Sequence, residues 1–152
     1  MQGITPFLWF DGQAEQAANF YVSVFKNSKI KQVSRYSEGG PASAGSVMIV
    51  VFELDGREFL ALNGGPMFKF TEAVSFVVNC DDQKEIDYYW DKLTADGGKP
   101  GQCGWLKDKF GLSWQVVPTA IGRLMSDPER APRVMAEVMK MTKLDLKKME
   151  EA

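Results

Sequence analysis

Residues 4–25 read ITPFLWFDGQAEQAANFYVSVF, and residues 73–95 read AVSFVVNCDDQKEIDYYWDKLTA. These two stretches decide the fold. Each opens on an apolar run of strand length, breaks at an acidic turn, and resumes with apolar residues at helical spacing. In the first stretch, residues 4–10 predict a strand that Asp11-Gly12 ends, and Ala14, Ala17, Ala18, Tyr21 and Phe25 predict a helix over 13–25. In the second, residues 73–80 predict a strand. Ile86, Tyr89, Trp90 and Leu93 predict a helix over 83–95, closed by Asp96-Gly97-Gly98. Phe20-Tyr21 corresponds to Tyr89-Trp90, an offset of 89 − 20 = 69.

The flanking sequence repeats too. Residues 29–36 alternate as a strand does, 37–45 (SEGGPASAG) have loop composition, and 46–54 predict a strand. Asp55-Gly56 is a hairpin turn signal, and 58–63 return as a strand. In the second copy, 104–109 and 112–117 predict a hairpin around Phe110-Gly111. The hairpin glycines differ by 111 − 56 = 55, so the second copy is 14 residues shorter, mostly for want of the 37–45 loop. Each copy therefore reads strand, helix, then three strands. The expected fold is α+β: one domain over 1–152, with βαβββ modules at 4–66 and 67–118. They form a curved mixed sheet around a shared cleft, and C-terminal helices follow at 119–152. In that tail, Ser126-Asp127-Pro128-Glu129 is a helix start signal. Val134, Val138 and Met141, with Met135 and Met139, give an apolar stripe for docking on the sheet or on a second chain. Lys143-Leu144-Asp145-Leu146 begins a last short turn.

Composition excludes several chemistries. The chain has 152 residues, 45% hydrophobic and 25% charged, as a soluble globular domain has. Its net charge of −2 argues against a nucleic-acid partner, which calls for a basic face. It has no histidine, which removes the commonest general base and metal ligand and every Ser-His or Cys-His triad. Its two cysteines, Cys80 and Cys103, form no CxxC, so neither a disulfide framework nor a cysteine zinc site is indicated. The N-terminus lacks a basic region and its apolar run is interrupted by Pro6, unlike a signal peptide. No apolar stretch reaches the ~18 residues of a spanning helix. A cytoplasmic protein with no membrane partner is expected.

The strings ITPFLWFDGQAEQAANFY, FLALNGGP, SFVVNC…QKEIDYYWDKL, CGWLKDKFGLSWQVVP and VMxxVMKMxKLD carry a resemblance. They resemble the PhnB-like branch of the vicinal-oxygen-chelate superfamily, the fold of glyoxalases, bleomycin-resistance proteins and extradiol dioxygenases. The branch often bears the inherited label of a 3-demethylubiquinone-9 3-methyltransferase. The resemblance covers about residues 4 to 145. It implies the βαβββ fold, a homodimer, and a small-molecule cleft. In metal-using members, His or Glu at four concave-face positions, on the first and last strands of each half, hold an ion. Aligned on Phe20-Tyr21, these positions fall at Pro6 (Ile4 if aligned on Asp11), Ser75, Gln115, and Leu60 or Asn63. None is a good ligand for a divalent cation. The expectation is therefore no metal and no cofactor.

Strand parity then assigns the cleft. Pro6, Leu8 and Phe10 are expected to face it and Phe7 and Trp9 the helix. In the second half Ser75, Val77 and Asn79, with Ser113, Gln115 and Val117, are expected to face in. Candidate ligand-binding residues are Pro6, Leu8, Phe10, Asn63, Ser75, Asn79, Cys103, Trp105 and Gln115. Each also has a plain reading. Gln115 suits a buried amide, Trp105 a packed aromatic, Asn63-Gly64-Gly65 a turn, and Cys103 an inert thiol without histidine to activate it. Glu53, Asp55 and Glu58 read as solvated around a hairpin tip, and Asp108 as a turn residue. No glycine-rich turn follows a strand as a dinucleotide-type site requires, which argues against methyl transfer from S-adenosylmethionine. The expected function is metal-independent binding of an unidentified small molecule. The alternative is a superfamily enzyme, metal-free or with an atypical metal site, in which no catalytic residue can be named.

Overall fold

The structure is a computed structural model describing residues 3–152. The chain divides into two compact units, the first ending at Lys69 and the second beginning at Phe70. The strands are hydrogen-bonded into two four-stranded mixed sheets, one in each unit.

In the first unit the order is β1 (Phe7–Phe10), α1 (Ala14–Val24), β2 (Lys29–Arg35), β3 (Val47–Leu54) and β4 (Arg57–Asn63). The spatial order is β1-β4-β3-β2, with β1 parallel to β4 and the other pairs antiparallel. β1 starts three residues later than the apolar run. Pro6 has no N–H to donate, although its carbonyl still accepts from Leu60 N at 2.9 Å. The β3–β4 turn is Asp55-Gly56, both at positive φ, as a two-residue hairpin turn demands. Ala14, Ala17, Ala18, Tyr21 and Val24 are the buried stripe of α1. Tyr21 stacks on Phe52, so the face carrying Phe52, Val50, Phe59 and Ala61 is the helix face. The small alanines let α1 lie close to that face.

The second unit runs β5 (Ser75–Cys80), α2 (Gln83–Thr94), β6 (Lys99–Pro100), β7 (Trp105–Lys107) and β8 (Ser113–Pro118). Its order, β5-β8-β7-β6, repeats that of the first sheet. β6 is two residues long and is the third strand that the repeat calls for, at a place no residue pattern marks. Ile86, Trp90 and Leu93 of α2 are buried, as are Val78, Cys80, Leu106, Trp114 and Val116 of the sheet. Asp82 caps α2 by accepting from Glu85 N at 2.9 Å, and Glu85 accepts from Asp81 N in return.

The tail forms α3 (Ile121–Ser126), α4 (Ala131–Val138) and α5 (Leu146–Glu151). The expected helix start at Ser126-Asp127-Pro128-Glu129 is instead the end of α3, at Ser126, followed by a turn. Asp127 Oδ1 accepts from Glu129 N and Arg130 N, and α4 begins beyond it. The methionine stripe splits. Val134, Val138 and Met141 are buried with Leu124, Leu144 and Met149, whereas Met135 and Met139 are exposed. This cluster packs within the same chain, against Cys103, Val117 and Ala120.

Candidate functional site

Each sheet has a helix face and an open face. In the first unit, Cα partners across the ladders share a face. Phe7 pairs with Leu60, Trp9 with Leu62, Ile49 with Leu62, and Val51 with Leu60. These residues form the open face. Leu8 and Phe10 pair with Ala61 and Asn63 and are buried on the helix side. The expectation that Leu8 and Phe10 line a cleft is therefore corrected, and Pro6 shares their parity. Phe7 and Trp9 take the open face instead.

The reversal has a simple cause. The buried helix residues Tyr21 and Trp90 differ by 69, but the buried strand residues Phe10 and Cys80 differ by 70. Between strand and helix the first unit has Asp11, Gly12 and Gln13, and the second only Asp81 and Asp82. One extra turn residue shifts the alignment by one along β1, and a one-residue slip turns every side chain over. The counterpart of Ser75 is thus Thr5.

Asn63 is also relocated. Its Oδ1 accepts from Ala14 N at 2.8 Å, its Nδ2 donates to Val47 O at 3.1 Å, and its carbonyl accepts from the Tyr36 hydroxyl. Gln13, at the N-cap, makes no side-chain cap. Asn63 therefore caps α1 from 49 residues away. Its side chain is spent on structure.

The open face of the first unit is apolar and aromatic. Trp9 is fixed by an indole bond to Gly65 O at 2.9 Å and an edge contact with Phe68 at 4.9 Å. Gly64 must be glycine, because a Cβ there would lie 2.4 Å from the Trp9 ring. At the hairpin end Glu53 and Glu58 stand opposite each other, and Lys31 bridges them at 3.5 and 3.1 Å. The Glu58 hydrogen bond is the main cause of a raised Lys31 pKa. These glutamates are ion-paired rather than merely solvated.

In the second unit the expected inward set shares the open face. Ser75 pairs with Ser113, Val77 with Gln115, and Trp105 with Gln115. Gln115 Nε2 donates to Ser75 Oγ at 2.9 Å. Val77 and Asn79 are exposed, and Trp105 and Gln115 half-buried. Cys103 lies at φ +61 in the turn before β7, with its Sγ 3.8 Å from Met139 Sδ. Ser113 was not among the candidates. It is 1% exposed, and its hydroxyl has no hydrogen-bond partner among the described residues. Its serine identity on an inward strand position was the only available signal.

Asp108 is a turn residue, as expected, but it is not at the surface. It is buried, and accepts from Phe110 N, Leu112 N and Trp114 Nε1 at 2.8, 3.1 and 2.8 Å. It is the internal staple of the β7–β8 turn, the turn residue expected but with its carboxylate buried. Cys80 is buried, and burial, followed by the nearby Glu85, pushes its thiol up to about 12.

The residue sequence of these elements matches a family model described as 3-demethylubiquinone-9 3-methyltransferase, over residues 2–117. The chain belongs to that family. It is 40% identical to a PhnB protein from Bacillus cereus that carries the same description, covering 77% of this chain and 99% of that one with a TM-score of 0.71. Protein PA1353 from Pseudomonas aeruginosa is 19% identical, covering 76% and 96% with a TM-score of 0.62. The fosfomycin resistance protein FosX from Listeria monocytogenes, complexed with Mn(II) and sulfate, is 13% identical. It covers 83% and 97% with a TM-score of 0.57. The last two likenesses concern fold. The family match and the PhnB likeness place the chain in the vicinal-oxygen-chelate superfamily. No curated protein matches it.

At the positions aligned with superfamily metal ligands stand the Thr5 hydroxyl and the aliphatic Leu60 in the first unit, and the Ser75 hydroxyl and the Gln115 amide in the second. Transition-metal sites are built from imidazole, thiolate or carboxylate. These residues do not fit a divalent ion. Elsewhere among the described residues, no three His, Cys, Asp or Glu side chains are grouped to hold one. No helix among them is long and apolar enough to cross a membrane.

Proposed function

We propose that the protein is a metal-independent binder of a small neutral molecule, recognised on the open faces of its modules, and that it works as a two-fold homodimer in the cytoplasm. The Ser75–Gln115 hydrogen bond carries this reading. Where a metal-using relative needs charged or imidazole ligands, this chain has two neutral groups bonded to each other. They offer hydrogen bonds, and beside them on the same face Val77 and Trp105 offer apolar surface. That is the usual composition of a small-molecule site. The exposed Ile4, Met67 and Phe68 supply apolar area for a self-interface.

Methyl transfer gains no support from the residues. The N-terminus of α1 is filled by Asn63 and that of α2 by Asp82, and neither follows a glycine-rich loop. The second reading is a superfamily enzyme. One observation favours it: Glu53 and Glu58 stand on an open face. Lys31 is ion-paired with both, which leaves them poorly placed as acid or base. Native mass spectrometry of gently purified protein tests the proposal. A dimer with a co-purified organic mass supports it. A monomer at micromolar concentration, or one metal ion per chain, overturns it.

A further inference from the structure

The open face of the second module is narrowed at both ends of β8. Val77, Gln115 and Trp105 are direct partners and form one row across β5, β8 and β7. With strands about 4.8 Å apart, that row is about 10 Å wide. One step forward along β8 is Val117, on which the tail cluster packs together with Cys103. One step back is Ser113, which is buried, and its ladder partner Lys107 is ion-paired with Glu72. Each step is two residues, about 6.6 Å. Along β8 the central row lies between them, with Val77 48% exposed on β5 and Asn79 exposed beside it.

The row carries no charge. Gln115 spends one N–H on Ser75, leaving its second N–H and its carbonyl oxygen for a ligand. Trp105 lies beside it as a flat apolar surface. At the tail end stands Met139, 63% exposed, with its sulfur against that of Cys103. We propose that this row receives a single planar ring bearing a neutral amide-like donor–acceptor group, and that Met139 of the C-terminal tail sets the length limit. The proposal rests on the small-molecule reading above and names its ligand class. The tail lies beyond the residues matched by the family model, so the limit is a property of this chain rather than of that shared portion.

The test is an NMR titration of the full-length 15N-labelled chain with benzamide, benzoate and 2-naphthamide, read at the Gln115 side-chain amide and the Trp105 indole. Benzamide is expected to shift both signals. Benzoate and 2-naphthamide are expected to bind about tenfold more weakly or worse, the loss from an unmatched polar group or a clash. Met139→Ala, at an exposed position, is expected to bring 2-naphthamide within about twofold of benzamide. Benzoate binding as tightly as benzamide overturns the neutral class. An unchanged naphthamide-to-benzamide ratio in Met139→Ala overturns the tail limit. If no probe shifts Gln115 while the purified protein carries an organic mass, this inference fails and the binding reading stands; if no such mass is present either, both fail.

Discussion

Single residues here do work that their type alone does not announce. Asp108 sits between two lysines in sequence, yet its carboxylate is buried under three N–H donors. Removing it strands three donors, so Asp108→Ala is expected to cost about 3 kcal/mol in urea unfolding. A loss under about 0.5 kcal/mol would mean a surface role. The two thiols diverge for a similar reason. Cys80, held near 12 by burial, stays protonated at pH 8, whereas Cys103 is half-exposed. Titration of the native protein with a disulfide reagent should release one thiol per chain, and a second only on unfolding. Two fast thiols would place Cys80 outside the core. Of the candidate residues, the second-half set was legible only as far as its shared face, which strand parity gives. Leu8 and Phe10 were not, because the alignment crossed a turn with one extra residue. Asn63 was not, because a cap supplied from 49 residues away leaves no local pattern.

At the scale of elements, the helices and most strands follow from periodicity, and the Asp55-Gly56 turn from its chemistry. The docking of the tail does not, because an apolar stripe specifies that a helix is buried but not on what. The structure shows how it is held. Gln83 donates to Asp87 and to Leu144 O, and accepts from Leu146 N. Lys143 pairs with Asp87 at 2.8 Å, and the amides of Cys103 and Gly104 bond to Met141 O and Thr142 O. Gln83→Ala should loosen this clasp, raising hydrogen exchange at the Cys103 and Gly104 amides by about tenfold while β5 is unaffected. Unchanged exchange would mean that the apolar cluster alone holds the tail. The clasp is also acid-sensitive. The hydrogen bond from Lys143, then that from Gln83, lowers the Asp87 pKa below its ordinary 3.8. A depressed carboxylate stabilises the folded form above its unfolded pKa and loses that contribution as pH falls through the folded value. Exchange at the same two amides should therefore rise below pH 3.8 in the wild type. Asp87→Asn should flatten that rise, and an equal acid response in both would remove Asp87 from the clasp.

At the scale of the whole molecule, duplication explains both what was kept and what was changed. Each copy builds the same four-stranded order, so helix and hairpin positions could be carried from one to the other. The chemistry of the open faces could be read only as a list of residue types, since which face each strand presents depends on register. What survives that correction is the neutral character of the ligand positions. Thr5 replaces Pro6 in the set, and a neutral hydroxyl is only a weak ligand for a transition metal. The central claim is that recognition at Ser75 and Gln115 proceeds by neutral hydrogen bonds without an ion. Titrating Mn(II) into the labelled protein tests it most directly, because the bound ion would broaden the signals of every nucleus near it. The account predicts that the Gln115 side-chain amide and the β5 and β8 amides around it stay sharp at one equivalent of Mn(II). Stoichiometric broadening centred on Gln115 and Ser75 would contradict it and make a metal-dependent reaction the leading account.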